Sequence, residues 1–375
     1  MIKNLIIFGT RPEAIKMAPL LLELKKHTED FETRVCVTAQ HRKMLDQVLN
    51  FFDITPDYDL NIMKPNQTLF HITSDIILGL KEILEEFRPD YVFVHGDTTT
   101  TFAASLAAFY AGCKICHIEA GLRTYDKNSP FPEEMNRQLV SKLCDINFAP
   151  TITAKNNLLS ENLSSNSIIV TGNTVIDALL ISSEKLKNYE NEEILALKNL
   201  FNPEEKLILV TSHRRENHGT GIIEVCEALK EIATSITGVQ LIFPVHLNPN
   251  IRKTVFEYLK DIPNIHLIDP LGYPAFVWLM NKSYLIITDS GGIQEEAPSL
   301  GKPVLVLREN TERPEAVDAG TVILVGTNKR QIVEKSTRLI NDIDFYASMA
   351  NISNPYGKGN ACDIIVNHLK FLNNN

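Results

Sequence analysis

The feature that most constrains this chain is a repeated pattern: a short apolar run, a glycine or polar break, then a helix-forming stretch. Residues 4–8 break at Gly9, residues 91–95 at Gly96, and residues 284–288 shortly before Ser290-Gly291-Gly292. Short apolar runs rich in β-branched residues read as buried strands. Strands that alternate with helices imply an α/β fold, a doubly wound parallel sheet covered on both faces. Further strands are expected at 33–39, 115–118, 168–171, 207–211, 241–243, 266–268 and after Pro303. Helices are expected at 43–51, up to 87, and at 98–111, 222–232 and 362–372. Pro298 should kink the helix that follows the glycine pair.

With 375 residues the chain exceeds one comfortable core, so two domains are expected. Gly172-Asn173-Thr174 gives way to a polar, charged stretch from about 182 to 205. The boundary is therefore placed near 172–190, giving domains over 1–175 and 176–358.

A formal net charge of -9 argues against general binding of nucleic acid or anionic membranes. No apolar run approaches the ~18 residues that span a bilayer. Met1-Ile2-Lys3-Asn4 runs straight into a strand, so a cytoplasmic location is expected. Cys113-Lys114-Ile115-Cys116-His117 matches a haem-attachment pattern. It also reads as a short buried strand, and the six scattered cysteines are expected to be reduced and buried. No credible metal cluster is visible.

The chemistry-bearing residues fall where strands end. A strand, a glycine turn and a helix start at Ser290, Gly291 and Gly292 form either an ordinary turn or a phosphate cradle. Glu296, one helical turn on, suits a ribose hydroxyl. Arg11 and Lys16 follow the first strand and are either surface charges or phosphate and sugar contacts. Asp97 and Glu119 end two further strands, while Glu133 and Glu134 open a helix. Caps and dipole partners would explain these acids singly. Their convergence with Arg11 at strand ends suggests a catalytic crevice instead. His213 beside Arg214 and Arg215 suits a phosphate or a proton. Phe276 or Trp278 is available to stack on a base, and Arg313 to meet a diphosphate.

Six motifs occur in order: Gly9-Thr10-Arg11-Pro12-Glu13, His95-Gly96-Asp97-Thr98-Thr99-Thr100-Thr101, Ile118-Glu119-Ala120-Gly121-Leu122-Arg123, His213-Arg214-Arg215-Glu216, Ser290-Gly291-Gly292-Ile293-Gln294-Glu295-Glu296 and Glu312-Arg313-Pro314-Glu315. Together they resemble the bacterial non-hydrolysing UDP-N-acetylglucosamine 2-epimerases over essentially the whole chain. The resemblance implies a GT-B fold of two Rossmann-like domains with the active site in the cleft between them. It also implies a final helix, 360–372, returning to the first domain, and a homodimer. The implied reaction interconverts UDP-GlcNAc and UDP-ManNAc by losing and regaining UDP through 2-acetamidoglucal, without metal or nicotinamide. Asp97, Glu119 and Glu133 match the acid/base positions and His213 lies near the pyrophosphate. Arg11, Lys16, Leu271, Phe276, Ser290, Gly291, Gly292, Glu296 and Arg313 match substrate positions.

Two segments depart from the pattern. Many relatives have Gln-Glu-Tyr-Leu-Pro where this chain has Leu271-Gly272-Tyr273-Pro274-Ala275. Some bind a second UDP-GlcNAc as activator near the segment holding Gln40 and His41, using a Gln and an Arg where Lys43 and Asn66 stand here. A GT-B glycosyltransferase, a hydrolysing epimerase and a non-catalytic UDP-sugar sensor are the rival readings. The intact acids at 97, 119 and 133 argue against the transferase and the sensor.

Overall fold

The computed structural model describes residues 1–39, 42–64, 66–214 and 219–373. Gln40, His41, Arg215 and Glu216, named above, lie outside them. The chain divides into two compact units, Met1–Ile181 with Tyr356–Asn375, and Ser182–Pro355.

The first unit is built on strands β1 (Ile2–Phe8), β2 (Phe31–Val37), β3 (Tyr58–Asp59), β4 (Tyr91–His95), β5 (Lys114–Ile118), β6 (Ile146–Ala149) and β7 (Ile168–Val170). They form one sheet in the order β3-β2-β1-β4-β5-β6-β7, and every pair is parallel. Helices α1 (Arg11–Leu24), α2 (Arg42–Phe51), α3 (Leu69–Phe87), α4 (Thr99–Tyr110), α5 (Glu133–Leu143) and α6 (Ile152–Ser160) make the crossovers, and α7 (Thr174–Lys185) follows β7. The central strands are largely apolar and buried because helices cover both faces, with Asn4, His95 and His117 as buried polar exceptions. Phe8, Phe93 and Phe148 are fully buried, each contributing about 1.5–3 kcal/mol. The second strand stops at Val37 rather than 39, since Ala39 has φ of 55°, which no strand accommodates.

The second unit starts with α8 (Glu192–Leu200). Its sheet comprises β8 (Lys206–Thr211), β9 (Val239–Pro244), β10 (Ile265–Ile268), β11 (Leu285–Thr288), β12 (Val304–Val306) and β13 (Val322–Leu324). The order is β10-β9-β8-β11-β12-β13, again all parallel. Helices α9 (Thr220–Ser235), α10 (Pro249–Leu259), α11 (Tyr273–Lys282), α12 (Gly291–Glu296), α13 (Pro314–Ala319), α14 (Lys329–Asn341) and α15 (Ile343–Ala350) complete it. Pro298 does not kink α12. The helix ends at Glu296 and passes into a 3-10 turn, Ala297–Leu300, because proline has no N–H to continue the α pattern. The charged stretch after 182 is helical too: Asn191 caps α8 by accepting from Ile194 N at 2.8 Å.

After Tyr356 the chain is again part of the first unit, where α16 (Ala361–Asn373) packs on α1. Lys370 on α16 reaches Asp30 at 2.9 Å and His27 Nδ1 at 3.0 Å. In each sheet the strand order reverses direction once, between β1 and β4 and between β8 and β11. Parallel sheets bind ligands just beyond such points, at the carboxyl ends of the strands.

Candidate active site

At the first switch point, the β1–α1 and β4–α4 turns are fastened together by Glu13. Its Oε2 accepts from Gly9 N at 3.1 Å, Thr10 N at 2.8 Å and Thr10 Oγ1 at 2.7 Å. Its Oε1 accepts from Thr98 Oγ1 at 2.7 Å and Thr101 Oγ1 at 3.2 Å. Complete burial raises the pKa of this carboxyl against those hydrogen bonds. Gly9 is required by space alone: a Cβ there would lie 2.0 Å from Thr38 Oγ1 and 2.6 Å from Thr100 Oγ1. The clamp places Arg11 and Asp97 on adjoining turns.

Glu119 follows β5 with φ of 63°, a left-handed conformation that costs a non-glycine residue about 1–3 kcal/mol. Lys16 from α1 forms an ion pair with its Oε2, and Asn173 Nδ2 donates to the same oxygen at 2.7 Å. His95 Nε2 lies 3.8 Å away. Asp97 Oδ2 accepts from Arg137 Nε at 2.8 Å. Arg137 in turn is braced by Glu134, at 3.0 Å. Glu134 accepts from Thr124 N, Tyr125 N and Gln138, and although burial opposes its charge these partners hold its pKa below the usual range. Glu133 opens α5 half-buried. Two histidines lie beneath this edge. Burial lowers His95 to about 3 and His117 to about 4, so both are neutral near pH 7. His117 Nε2 is 2.7 Å from the Gly96 carbonyl.

At the second switch point the organising group is Asp289, fully buried at the end of β11. It accepts from Ser212 Oγ at 3.0 Å and from the amides of His213 and Arg214, both at 2.9 Å. His213 Nδ1 lies 2.9 Å from its Oδ1. Burial opposes the charge on Asp289, but these partners outweigh it and hold its pKa below the usual value. With Nδ1 facing the carboxylate, the His213 ring turns Nε2 outward as the atom available for chemistry.

The glycine turn beside it is shaped by side chains on its own helix and the next loop. Ser290 N donates to Thr288 Oγ1 at 3.0 Å, and Gln294 Nε2 donates to Ser290 O at 3.1 Å. Arg313, paired with Glu295, lies over Gly291: a Cβ on that glycine would be 3.6 Å from the guanidinium. Glu296 Oε1 is 3.4 Å from the corresponding point on Gly292. Beyond β10, Gly272 N donates to Glu193 Oε1 of α8 at 3.0 Å. This fixes the Leu271 loop and the start of α11. Phe276 is half-buried there, whereas Trp278 is core, edge-on to Phe201 at 6.2 Å.

The profile of the family described as UDP-N-acetylglucosamine 2-epimerase matches residues 23–370. The UDP-N-acetylglucosamine 2-epimerase of Neisseria meningitidis serogroup A is 58% identical over 368 residues, covering 98% of this chain and 99% of its own. The chain belongs to the UDP-N-acetylglucosamine 2-epimerase family. The Escherichia coli K12 member is likewise 58% identical, over 374 residues and 98% of each chain. The crystal structure of the Neisseria meningitidis enzyme bound to UDP-GlcNAc superposes with a TM-score of 0.87 at 57% identity, covering 98% of this chain and 99% of that one. As a member of this epimerase family the chain is an isomerase, and its two parallel-sheet units are of the GT-B type.

Within the first unit, the structure brings Lys16 onto Glu119 and sets Arg11 and Asp97 on clamped turns. Within the second, it gathers His213, Ser290, Gly291, Gly292, Glu296 and Arg313 around the end of β11. Arg137, Asn173 and Asp289 are not singled out by any motif of the sequence. Arg137 lies one helical turn beyond Glu134, a spacing that signals an ion pair. Asp289 stands directly before the glycine turn, and an acid entering such a turn is a signal in itself. Asn173 carried no signal beyond its turn. All six cysteines are free, and among the described residues no helix is long and apolar enough to cross a membrane.

Proposed function

We propose that the protein interconverts UDP-GlcNAc and UDP-ManNAc by elimination and re-addition of UDP. One of Asp97, Glu119 and Glu133 takes the C2 proton as the C1–O bond breaks, and UDP leaves with the bonding electrons. The sugar becomes 2-acetamidoglucal. A UDP oxygen then re-forms the bond to C1 while a proton is delivered to the opposite face of C2. The C2 hydrogen leaves and returns as a proton rather than a hydride, so the route needs no nicotinamide.

The observation that carries this reading is Glu119, held in a strained backbone at a strand end by Lys16 and Asn173. A weakly acidic C2 proton calls for a fixed carboxylate together with stabilisation of the departing diphosphate. Arg313 supplies charge for the diphosphate, and His213, anchored by Asp289, meets it beside Arg313. Ser290, Gly291 and Gly292 cradle it, Glu296 takes the ribose, and the backbone at Leu271 and Phe276 meets the uracil. Arg11 and Lys16 add cationic contacts. The family relationship to an enzyme solved with UDP-GlcNAc bound supports the substrate. We further propose that the protein works in the cytoplasm, feeding ManNAc-derived units to cell-surface polysaccharide.

A homodimer is also proposed. On α3 and the end of α4, Leu78 and Tyr110 are exposed and line a groove of about 620 Å³, and Phe70 and Phe109 of the same helices are exposed too. Apolar groups massed on a surface mark association sites, and light scattering should give twice the 42.2 kDa chain mass.

Proton NMR of the protein with UDP-GlcNAc in deuterated water tests the reaction. UDP-ManNAc appearing with C2 deuterium in both epimers, and an equilibrium endpoint, is the expected result. Free ManNAc and UDP accumulating would assign a hydrolysing epimerase. An inert mixture would leave a transferase or a sensor.

A further inference from the structure

We propose that Asn173 is a positioning residue that holds the Glu119 carboxylate for proton transfer, anchored to the segment where the chain re-enters the first unit. This rests on the reading of Glu119 as an acid/base group. Asn173 is 3% exposed, and three contacts fix it. Its Nδ2 donates to Glu119 Oε2 at 2.7 Å, its Oδ1 accepts from Val175 N at 3.0 Å, and its backbone N donates to Tyr356 O at 2.7 Å. A donor faces one amide atom and a carboxylate the other, so the orientation of the side-chain amide is determined.

The backbone under Asn173 is set by two glycines in close contact. Gly172 has φ of 87° and Gly357 of 121°, and a Cβ on Gly357 would lie 3.3 Å from Gly172 Cα. A Cβ on Gly172 would lie 3.1 Å from Tyr356 O. The two backbones pack directly on each other there. Glu119 is thus gripped through Oε2 from opposite directions, by Lys16 of α1 and by Asn173. Its Oε1 faces the Gly96 turn, 3.8 Å from where a Cβ of Gly96 would be. A carboxylate gripped at one oxygen from two sides has a defined orientation, which is what a proton transfer requires.

Asn173→Asp separates this role from the capping role. Aspartate keeps an acceptor for Val175 N but replaces the donor to Glu119 with a second negative charge. The groups facing Glu119 are Lys16, His95 and, further off, His117, and both histidines are neutral near pH 7. Lys16 is the cation placed to offset the added charge. The expected result is a kcat lowered at least about ten-fold with KM for UDP-GlcNAc within about three-fold, since a positioned acid/base group contributes 10²–10⁴-fold. The acidic limb of the kcat profile should move to higher pH, because a like charge raises a carboxyl pKa. Asn173→Ser keeps a short cap and adds no charge. It should lower kcat similarly and shift the limb less.

Variants that fold and keep wild-type kcat and pH profile would overturn the proposal. Loss of folding in both variants would make Asn173 a cap and overturn it too. Wild-type protein that exchanges no C2 proton would sink the reading of Glu119 itself. Exchange by wild type and by both variants alike would sink only the positioning role.

Discussion

Asp289 fixes His213 twice over, through the backbone amide at 2.9 Å and through ring Nδ1 at 2.9 Å. One buried carboxylate therefore sets both the position of the residue and the direction of its ring. Asp289→Asn keeps the shape but turns an acceptor into a donor facing the same N–H groups. Turnover should fall on the order of 100-fold, as for loss of a positioned acid/base partner, and stability by about 3 kcal/mol. Denaturant titration and steady-state kinetics check both. The pKa of Asp289 is depressed, so its stabilisation is present above the unfolded value near 3.8 and is lost as pH falls through the lower folded value.

Asp97→Asn should lose turnover while retaining UDP, measured by calorimetry beside the exchange assay. The carboxylate lies in the first unit, held by Arg137, whereas the proposed UDP contacts lie mainly in the second. Normal turnover in this variant would remove Asp97 from the chemistry.

Gly9→Ala tests the packing of the first turn. Its Cβ has no room beside Thr38 and Thr100, whose hydroxyls are themselves 3.1 Å apart. A loss of about 1–3 kcal/mol is expected, the usual range for overpacking. Gly112→Ala is the control, with nothing within 4 Å of its Cβ but φ of 71°. It should cost backbone strain alone, about 1–3 kcal/mol, and gain nothing when Thr38 is trimmed to alanine, whereas the same trimming should partly rescue Gly9→Ala. No rescue of Gly9→Ala by Thr38→Ala would remove the steric account.

Acid should destabilise the first unit through His95 and His117. Both have folded pKa values below the unfolded 6.5, at about 3 and about 4. The unfolded chain therefore binds more protons between those limits, and stability drops as pH falls below 6.5. Each histidine costs about 1.4 kcal/mol per pH unit in that window, or about 4 kcal/mol for the pair at pH 5. Glu13 works in the opposite sense, since its raised pKa relieves a buried charge as pH falls. A melting temperature that stays flat from pH 7 to pH 5, unchanged in His95→Gln, would refute the histidine account.

The strand–helix alternation was legible because central parallel strands are apolar on both faces, and β1, β4, β8 and β11 are such strands. The capping pair Thr10 and Glu13 was legible from spacing alone. The sequence could not show that Glu13 also reaches Thr98 and Thr101, 85 and 88 residues on, since only the sheet order brings those turns together. Helix α8 was hidden by its charge: Ile194 and Leu197 are buried, too short an apolar stripe to register in a polar stretch. Ala39 and Pro298 show the limit of pattern reading, where one residue's backbone geometry ends an element that its neighbours would continue. Glu119, Asp97 and His213 were visible as residues. Their anchors Asn173, Arg137 and Asp289 were not, because anchoring is a relation across distant sequence.

The lone tryptophan, Trp278, is buried against Phe201, and both residues belong to the second unit. Excitation at the red edge of aromatic absorption will thus illuminate one half of the molecule and leave the other dark. Compared with circular dichroism, which sees both halves, that emission separates the melting of the second unit from that of the first. Added UDP should delay the fluorescent transition if that unit is where the nucleotide docks. The native chain carries its own reporter for the question, without a label.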